Sequence, residues 1–145
     1  MKIIRVSITH SELLSQMHGK CFDKAWSKED FEKLLANKFN QVIMIAGEDG
    51  DMAVPMGFIM YQEVEKEKEI ITICTLPKYR KQGVAKALVE TLDADKIFLD
   101  VDEENLPAVN LYKKLGFDVE RIRDKYYENG HNALIMTKTP RREIK

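Results

Sequence analysis

Period-two alternation opens the chain, with Ile4, Val6 and Ile8 set against Arg5 and Ser7, and it predicts a first strand over residues 2–8. From His10 to His18 the spacing becomes helical, with Leu13, Leu14 and Met17 on one side. Ser27 followed by Asp30 makes a capping-box start for a second helix carrying Phe31, Leu34 and Leu35, and Trp26 is placed to staple onto it. Residues 41–46 and 52–61 read as strands joined by a turn over 47–51, and Pro55 predicts that the second begins late or carries a bulge. A charged hairpin connection over 63–69 leads into a β-branched, mostly apolar run over 69–75, expected to be a strand buried on both faces.

After Gly83 the period is helical again, with Val84, Ala87, Leu88 and Thr91 opposite Lys86 and Glu90. A turn over 93–95 and a strand over 96–101 come next. Residues 105–117 then predict a helix with Asn105 as N-cap, Pro107 in its first turn and Gly116 at its end, and Val109, Tyr112 and Leu115 on one face. Two closing strands over 117–127 and 133–136 flank a turn at 128–130, and 138–145 reads as a flexible basic tail. No repeat or linker interrupts the series, so one α/β domain over 1–145 is expected.

Composition narrows the classes. With 145 residues, 44% apolar and 32% charged, the chain can bury an ordinary core, and a net charge of −1 argues against a nucleic-acid partner held by a basic field. No apolar run is long enough for a membrane span, and the first residues lack a signal-peptide profile. Cys21 and Cys74 lie far apart in sequence and have no metal-ligand spacing with His10, His18 or His131. A reduced, cytoplasmic protein with no metal site is the expectation.

The stretch 76–90 carries the clearest chemistry. Strand, basic glycine-containing loop and helix follow in the order a phosphate site needs, because the first N–H groups of a helix lack internal partners and attract an anion. Gly83 lets backbone approach a ligand, Ala85 adds little bulk, and Arg80, Lys81 and Lys86 add charge. A plain strand-to-helix turn with solvated lysines is the alternative on the loop alone. A Walker A loop is excluded, since no Gly-Lys-Ser/Thr ending is present, and a single glycine makes no dinucleotide fingerprint.

The spacing Arg80-x-x-Gly83-x-Ala85 resembles the acyl-CoA pyrophosphate loop of the GCN5-related N-acetyltransferase (GNAT) superfamily. Asn105-x-x-Ala108-x-x-Leu111-Tyr112-x-x-x-Gly116-Phe117 is similar to that superfamily's second signature. Trp26-Ser27 with Phe22 and Phe31, the run Arg123 to Tyr127, and Asn132 to Met136 resemble the ribosomal-protein-alanine N-acetyltransferase (RimI) branch. The likeness covers nearly the whole chain. It departs in two places: Asp100 stands where the family has a glutamate general base, and the segment between loop helix and following strand is short.

That resemblance implies a three-layer α/β/α fold with a mixed, largely antiparallel sheet whose central parallel strands splay to admit acetyl-CoA. Its pantetheine would pair with Ile73, Cys74 and Thr75. The amides of Lys81, Gln82, Gly83, Val84, Ala85 and Lys86, with Arg80, would take the pyrophosphate, and Asn105 would assist. The implied activity is transfer of an acetyl group to a primary amine, above all the N-terminal α-amino group of a ribosomal protein, with Asp100 as base, directly or through water, and Tyr112 as acid. Phe22, Trp26, Tyr126 and Tyr127 are candidates for the acceptor site, although Trp26 is also expected to be structural, Tyr112 could be a core tyrosine and Asp100 a satisfied strand-end carboxylate. A small-molecule amine acetyltransferase would share every cofactor residue, and a non-catalytic acyl-CoA-binding module remains a second alternative. Carboxylates at 63, 65, 67, 69, 100 and 102–104 are expected either to steer a basic acceptor or merely to solvate turns.

Overall fold

The computed structural model describes residues 1–140 of the 145. Strands β1 (Lys2–Val6), β2 (Asn40–Asp49), β3 (Met52–Val64), β4 (Glu67–Thr75), β5 (Lys96–Asp102), β6 (Asp118–Arg123) and β7 (Ala133–Lys138) form a mixed sheet. Helices α1 (Ser11–Cys21), α2 (Lys28–Ala36), α3 (Val84–Glu90) and α4 (Leu106–Lys114) connect them. The chain divides into two compact units, Met1–Glu63 with Ile70–Thr91, and Val64–Glu69 with the residues from Leu92 onward. Strand β4 contributes to both.

In the first unit the antiparallel ladder β1-β2-β3 follows the alternation seen in sequence, Ile4 and Val6 of β1 being more buried than their neighbours. Ile8 belongs to a 3-10 turn, not to β1, and α1 begins at Ser11 and runs on to Cys21. The β2–β3 turn is only Gly50-Asp51, so both strands are longer than expected. Pro55 marks a bulge, the register slipping where Ile45 faces Gly57 and Ala46 faces Pro55, while β3 starts on time at Met52. A proline cannot donate to the ladder, and the extra residue absorbs the missing bond. Gly57 is required there: a Cβ on it would lie 2.5 Å from the Cys74 carbonyl oxygen.

Helices α1 and α2 cover this ladder with Leu14, Met17 and Phe31, which meet Phe58 and Met60 from β3 in one cluster. Each such side chain contributes about 1.5–3 kcal/mol by leaving water. The α2 start is the expected capping box: Asp30 N–H donates to Ser27 Oγ (3.1 Å) and Ser27 N–H donates to Asp30 Oδ2 (2.9 Å). Trp26 packs edge-on to Phe31 at 5.6 Å, the staple predicted for it. His18, which nothing in the periodicity singled out, sits at the centre, 3% exposed and stacked on Trp26 at 4.7 Å. Its Nδ1 accepts from the Trp26 N–H (3.1 Å), so its Nε2 carries the hydrogen shared with Thr72 (3.3 Å), and burial holds its pKa below the ordinary value.

The second unit begins with a two-residue turn at Glu65-Lys66, shorter than the connection expected over 63–69, and Glu67 to Glu69 already pair in parallel with Lys96 to Phe98. Alternation in β5 is strict, with Ile97, Leu99 and Val101 buried. Asp100 and Asp102 therefore share the opposite face with Phe98. Strand β7 pairs antiparallel with β5 on one side and β6 on the other. The sequence overran β6, which stops at Arg123 because Lys125 turns the chain at φ 47. It also ended β7 early: Lys138 is the strand's last residue, not the first of a tail, and its Nζ donates to the Leu115 carbonyl (2.7 Å). The rest of the expected tail, 141–145, lies outside the described residues.

Candidate active site

The basic loop of the first unit is built as an anion cradle. After a 3-10 turn at Pro77–Tyr79 the backbone enters positive φ at Lys81 (63°) and again at Gly83 (80°), which caps α3. Ala87 N–H donates to the Gly83 carbonyl (2.9 Å) as the first helical bond, so the N–H groups of Val84, Ala85 and Lys86 precede it and have no carbonyl one turn back. No atom lies within 4 Å of where a Gly83 Cβ would stand, leaving backbone open to a phosphate. Val84 itself is buried, so only its N–H can take part, whereas Arg80, Lys81, Gln82 and Lys86 are exposed.

The end of β4 is partly committed elsewhere. Thr75 carbonyl accepts from Arg80 Nε (3.3 Å) and from the Cys21 thiol (3.4 Å), and the Cys74 thiol points into the core, donating to the Met17 carbonyl (3.5 Å). The two cysteines, distant in sequence, are neighbours, and Cys74, with help from Arg80, lowers the Cys21 pKa to about 7, while Cys74 is pushed up by Cys21 and by burial. The Cys74 thiol and the Thr75 carbonyl are thus already engaged within the unit.

Acid–base groups gather in the second unit. Asp100 is half-buried on β5, and its charge, after burial itself, raises the Glu69 pKa. Glu69, expected where the charged connection meets the strand, lies inside β4, half-buried and registered with Phe98. Burial first, then Asp100 and Asp102, also raise the pKa of Tyr127, whose ring meets Tyr126 edge-on at 5.2 Å. Tyr126 is half exposed, with the Arg123 guanidinium over its ring at 5.3 Å. Tyr112 packs edge-on to Phe117 at 5.7 Å, is 9% exposed, and is pushed up to about 12 by burial. Asn105 is the α4 cap: its Oδ1 accepts from the Ala108 N–H (3.3 Å), which commits that oxygen to the helix.

Of the aromatic pair expected at the acceptor, Trp26 is spent on the core around His18, and Phe22 keeps an exposed ring edge (40%). A largely apolar cavity of about 620 Å³, lined by Leu13, Met17, Lys20, Val54, Leu76 and Tyr79, lies in the same unit and was not foreseen. The acidic groups are less uniform than their spacing suggested, since Glu65, Glu67 and Glu104 are exposed but Glu69 and Asp100 are not. Asp102, Glu104 and His131 bring ligand-type atoms within 4.8 Å of one another, already bonded among themselves.

The first unit thus offers an open, basic loop at a helix start, and the second a half-buried carboxylate on β5 and a buried tyrosine on α4. Residues 11–117 match the family model described as Acetyltransferase (GNAT) family. The chain belongs to that family and is an acetyltransferase. It is 32% identical over 130 residues to a putative ribosomal protein bS18-alanine N-acetyltransferase of Bacillus subtilis, covering 83% of each chain. It is 35% identical over 79 residues to an N-alpha-acetyltransferase of Sulfurisphaera tokodaii, covering 49% of this chain and spanning only 47% of that relative. The crystal structure of the ribosomal-protein-S18-alanine N-acetyltransferase from Escherichia coli superposes with a TM-score of 0.78 at 24% identity, over 95% of this chain and 92% of that one, and shows the shared fold. Among the described residues no helix is long and apolar enough to cross a membrane.

Proposed function

We propose that this chain moves the acetyl group of acetyl-CoA to the N-terminal α-amino group of a protein, a ribosomal protein with a basic N-terminus being the favoured acceptor. The observation that carries the reading is the pair of half-buried carboxylates on adjoining strands, Glu69 registered with Phe98 and Asp100 two residues further along β5. The names of the Bacillus and Sulfurisphaera relatives support the same acceptor class. Acetyl-CoA supplies an acetyl thioester. Lys81 to Lys86 would hold its pyrophosphate through backbone N–H groups, and the backbone of Ile73 to Thr75 its extended arm.

At neutral pH most of an α-amino group titrating near about 7.7–8.0 is ammonium, which sheds one proton to solvent before attack, and the attacking nitrogen gives up a second as the amide forms. Asp100, one methylene shorter than glutamate, receives that proton directly or through water. Glu69, with its raised pKa, is the closer match to the amine and shares the task. Tyr112 stays protonated throughout the working range. A thiol of pKa about 8.5 is a stronger acid than this phenol, so Tyr112 assists by donating a hydrogen bond to the leaving sulfur instead of surrendering its proton. The half-exposed Tyr126, with Tyr127, would flank the acceptor backbone, and Phe22 offers a further apolar edge.

The test is a peptide library of free N-termini incubated with enzyme and acetyl-CoA and read by mass spectrometry, with neutral and basic residues after the first position at low and high salt. Acetylated α-amines, basic peptides being favoured at low salt, are expected. Acetylation of polyamines or antibiotics with no peptide product would replace this reading by the small-molecule one.

A further inference from the structure

His131 is not engaged by any step proposed above, yet both nitrogens of its ring are taken by carboxylates. Its Nδ1 donates to both oxygens of Asp102 (2.8 and 3.1 Å), and its Nε2 faces Glu104 in an ion pair. Donating from both nitrogens requires the imidazolium form. With no lone pair left, the ring cannot act as a base. Around it the same two segments are tied repeatedly. Asn129 Nδ2 donates to Asp102 (3.4 Å), Asn132 Nδ2 donates to Glu103 (3.4 Å), and Glu103 N–H donates to the Asn132 carbonyl (3.0 Å). Tyr127 N–H in turn donates to the His131 carbonyl (3.3 Å), and Gly130 N–H to the Tyr127 carbonyl (2.9 Å).

Resting on the acceptor reading above, we propose that His131 is a positioning residue for the acceptor. As a cation it latches the 124–132 turn, which carries Tyr126 and Tyr127, to the 102–105 segment that follows Asp100 and starts α4. The groups facing it are Asp102 from β5, Glu103 and Glu104 from the following loop, and Asn129 from its own turn. Three carboxylates and one imidazolium leave a residual negative charge beside the tyrosines, suited to a cationic N-terminus. Lysine has one ammonium and could not bridge two carboxylates on opposite sides in this way, whereas arginine could in part.

The latch depends on pH. The hydrogen bond to Asp102, then the nearby acidic charge, raises the His131 pKa above its ordinary 6.5. A raised histidine contributes fully below its unfolded value and loses its contribution as pH climbs through the folded one. The acceptor amine becomes nucleophilic over the same climb. Acceptor binding should thus weaken while the bound amine becomes more reactive.

Two measurements on the full chain test this. NMR titration should show the His131 ring and the amides of Tyr127, Asn129 and Gly130 shifting with one midpoint above 6.5, and His131→Gln should leave those amides flat. In kinetics at pH 6.5, His131→Gln should raise KM for a peptide acceptor roughly tenfold, the worth of one charge-assisted hydrogen bond, while KM for acetyl-CoA holds. It should also abolish the rise of peptide KM with pH, and His131→Arg should recover part of the loss. Unchanged peptide KM in His131→Gln, or a loss confined to kcat, would overturn the positioning role even with the NMR coupling intact. If no peptide is acetylated at all, the acceptor reading fails, and the latch is judged by NMR: a shared midpoint supports it, independent midpoints sink it.

Discussion

The two units treat a histidine in opposite ways. In the first, His18 is kept neutral by burial, stacked among aromatic rings and fixed in one tautomer. In the second, carboxylates at a half-open surface hold the His131 pKa above its ordinary value. The contrast extends to the rest of each unit. The first leaves backbone open at its basic loop: positive φ at Lys81 and Gly83, N–H groups at the start of α3 with no carbonyl one turn back, and a Cys74 side chain turned into the core. The second carries ionisable side chains instead: after burial itself, Asp100 raises the pKa of both Glu69 and Tyr127, and Asp102 raises that of both Tyr127 and His131. Acetyl-CoA binding through that backbone should therefore vary less with pH than acceptor chemistry does.

The hardest test of the first unit as a rigid frame is Gly57→Ala. The new Cβ would meet the backbone carbonyl oxygen of Cys74 at 2.5 Å, which cannot swing aside, so stability should fall by about 3 kcal/mol in denaturant unfolding. A loss below half that would show that β3 and β4 can part. Gly83→Val separates recognition from folding. With no atom within 4 Å of the new Cβ, only the φ of 80° costs stability, about 1–2 kcal/mol, whereas acetyl-CoA affinity by calorimetry should drop roughly a hundredfold. Unchanged affinity would remove the loop from the site.

Turning to the second unit, Tyr112→Phe keeps the ring against Phe117 but deletes the donor, so kcat should fall about ten- to a hundredfold with the acetyl-CoA dissociation constant unmoved. Activity equal to the parent would leave Tyr112 as core alone. Asp100→Asn removes one cause of the raised Glu69 pKa, and NMR of the Glu69 carboxyl should show its midpoint moving down. A static midpoint would mean the two carboxylates do not communicate. The smallest effect is on stability. His18 has a lowered folded pKa, so the unfolded chain binds the extra proton and melting temperature should dip by a few degrees as pH falls through 6.5, a dip that His18→Gln flattens.

Much of the fold was written in period and punctuation. The capping box at Ser27 and Asp30, the staple of Trp26 on Phe31, the Asn105 cap and the Pro55 bulge all depend on neighbours within a few residues, and all stand where the sequence put them. Boundaries failed where tertiary pairing extends a strand past its apolar run, as at Glu67 to Glu69 and Lys138. The basic loop was legible because its chemistry lies in one contiguous segment. Glu69 was hidden because a carboxylate in an acidic run looks solvated until β5 is laid beside it. His131 was hidden for a like reason: its partners lie 27 and 29 residues away, and no local rule links them. Even the thiol pair Cys21 and Cys74 needed α1 laid on β4 to become a pair.

Strand β6 has a consequence for how the protein behaves at high concentration. It ends the strand order among the described residues, all six of its positions are exposed, and Val119 and Ile122 offer apolar side chains to solvent. Such a rim would invite a second chain to continue the ladder. The register slips between Val119 and Arg121, so Glu120 stands out of line, and that carboxylate is drawn to Lys96 at 2.8 Å. With Asp118, Arg121 and Arg123 on the same rim, any incoming strand must break step and strip water from several charges. The exposed hydrophobic residues there can thus be tolerated in a crowded solution without seeding fibrous growth.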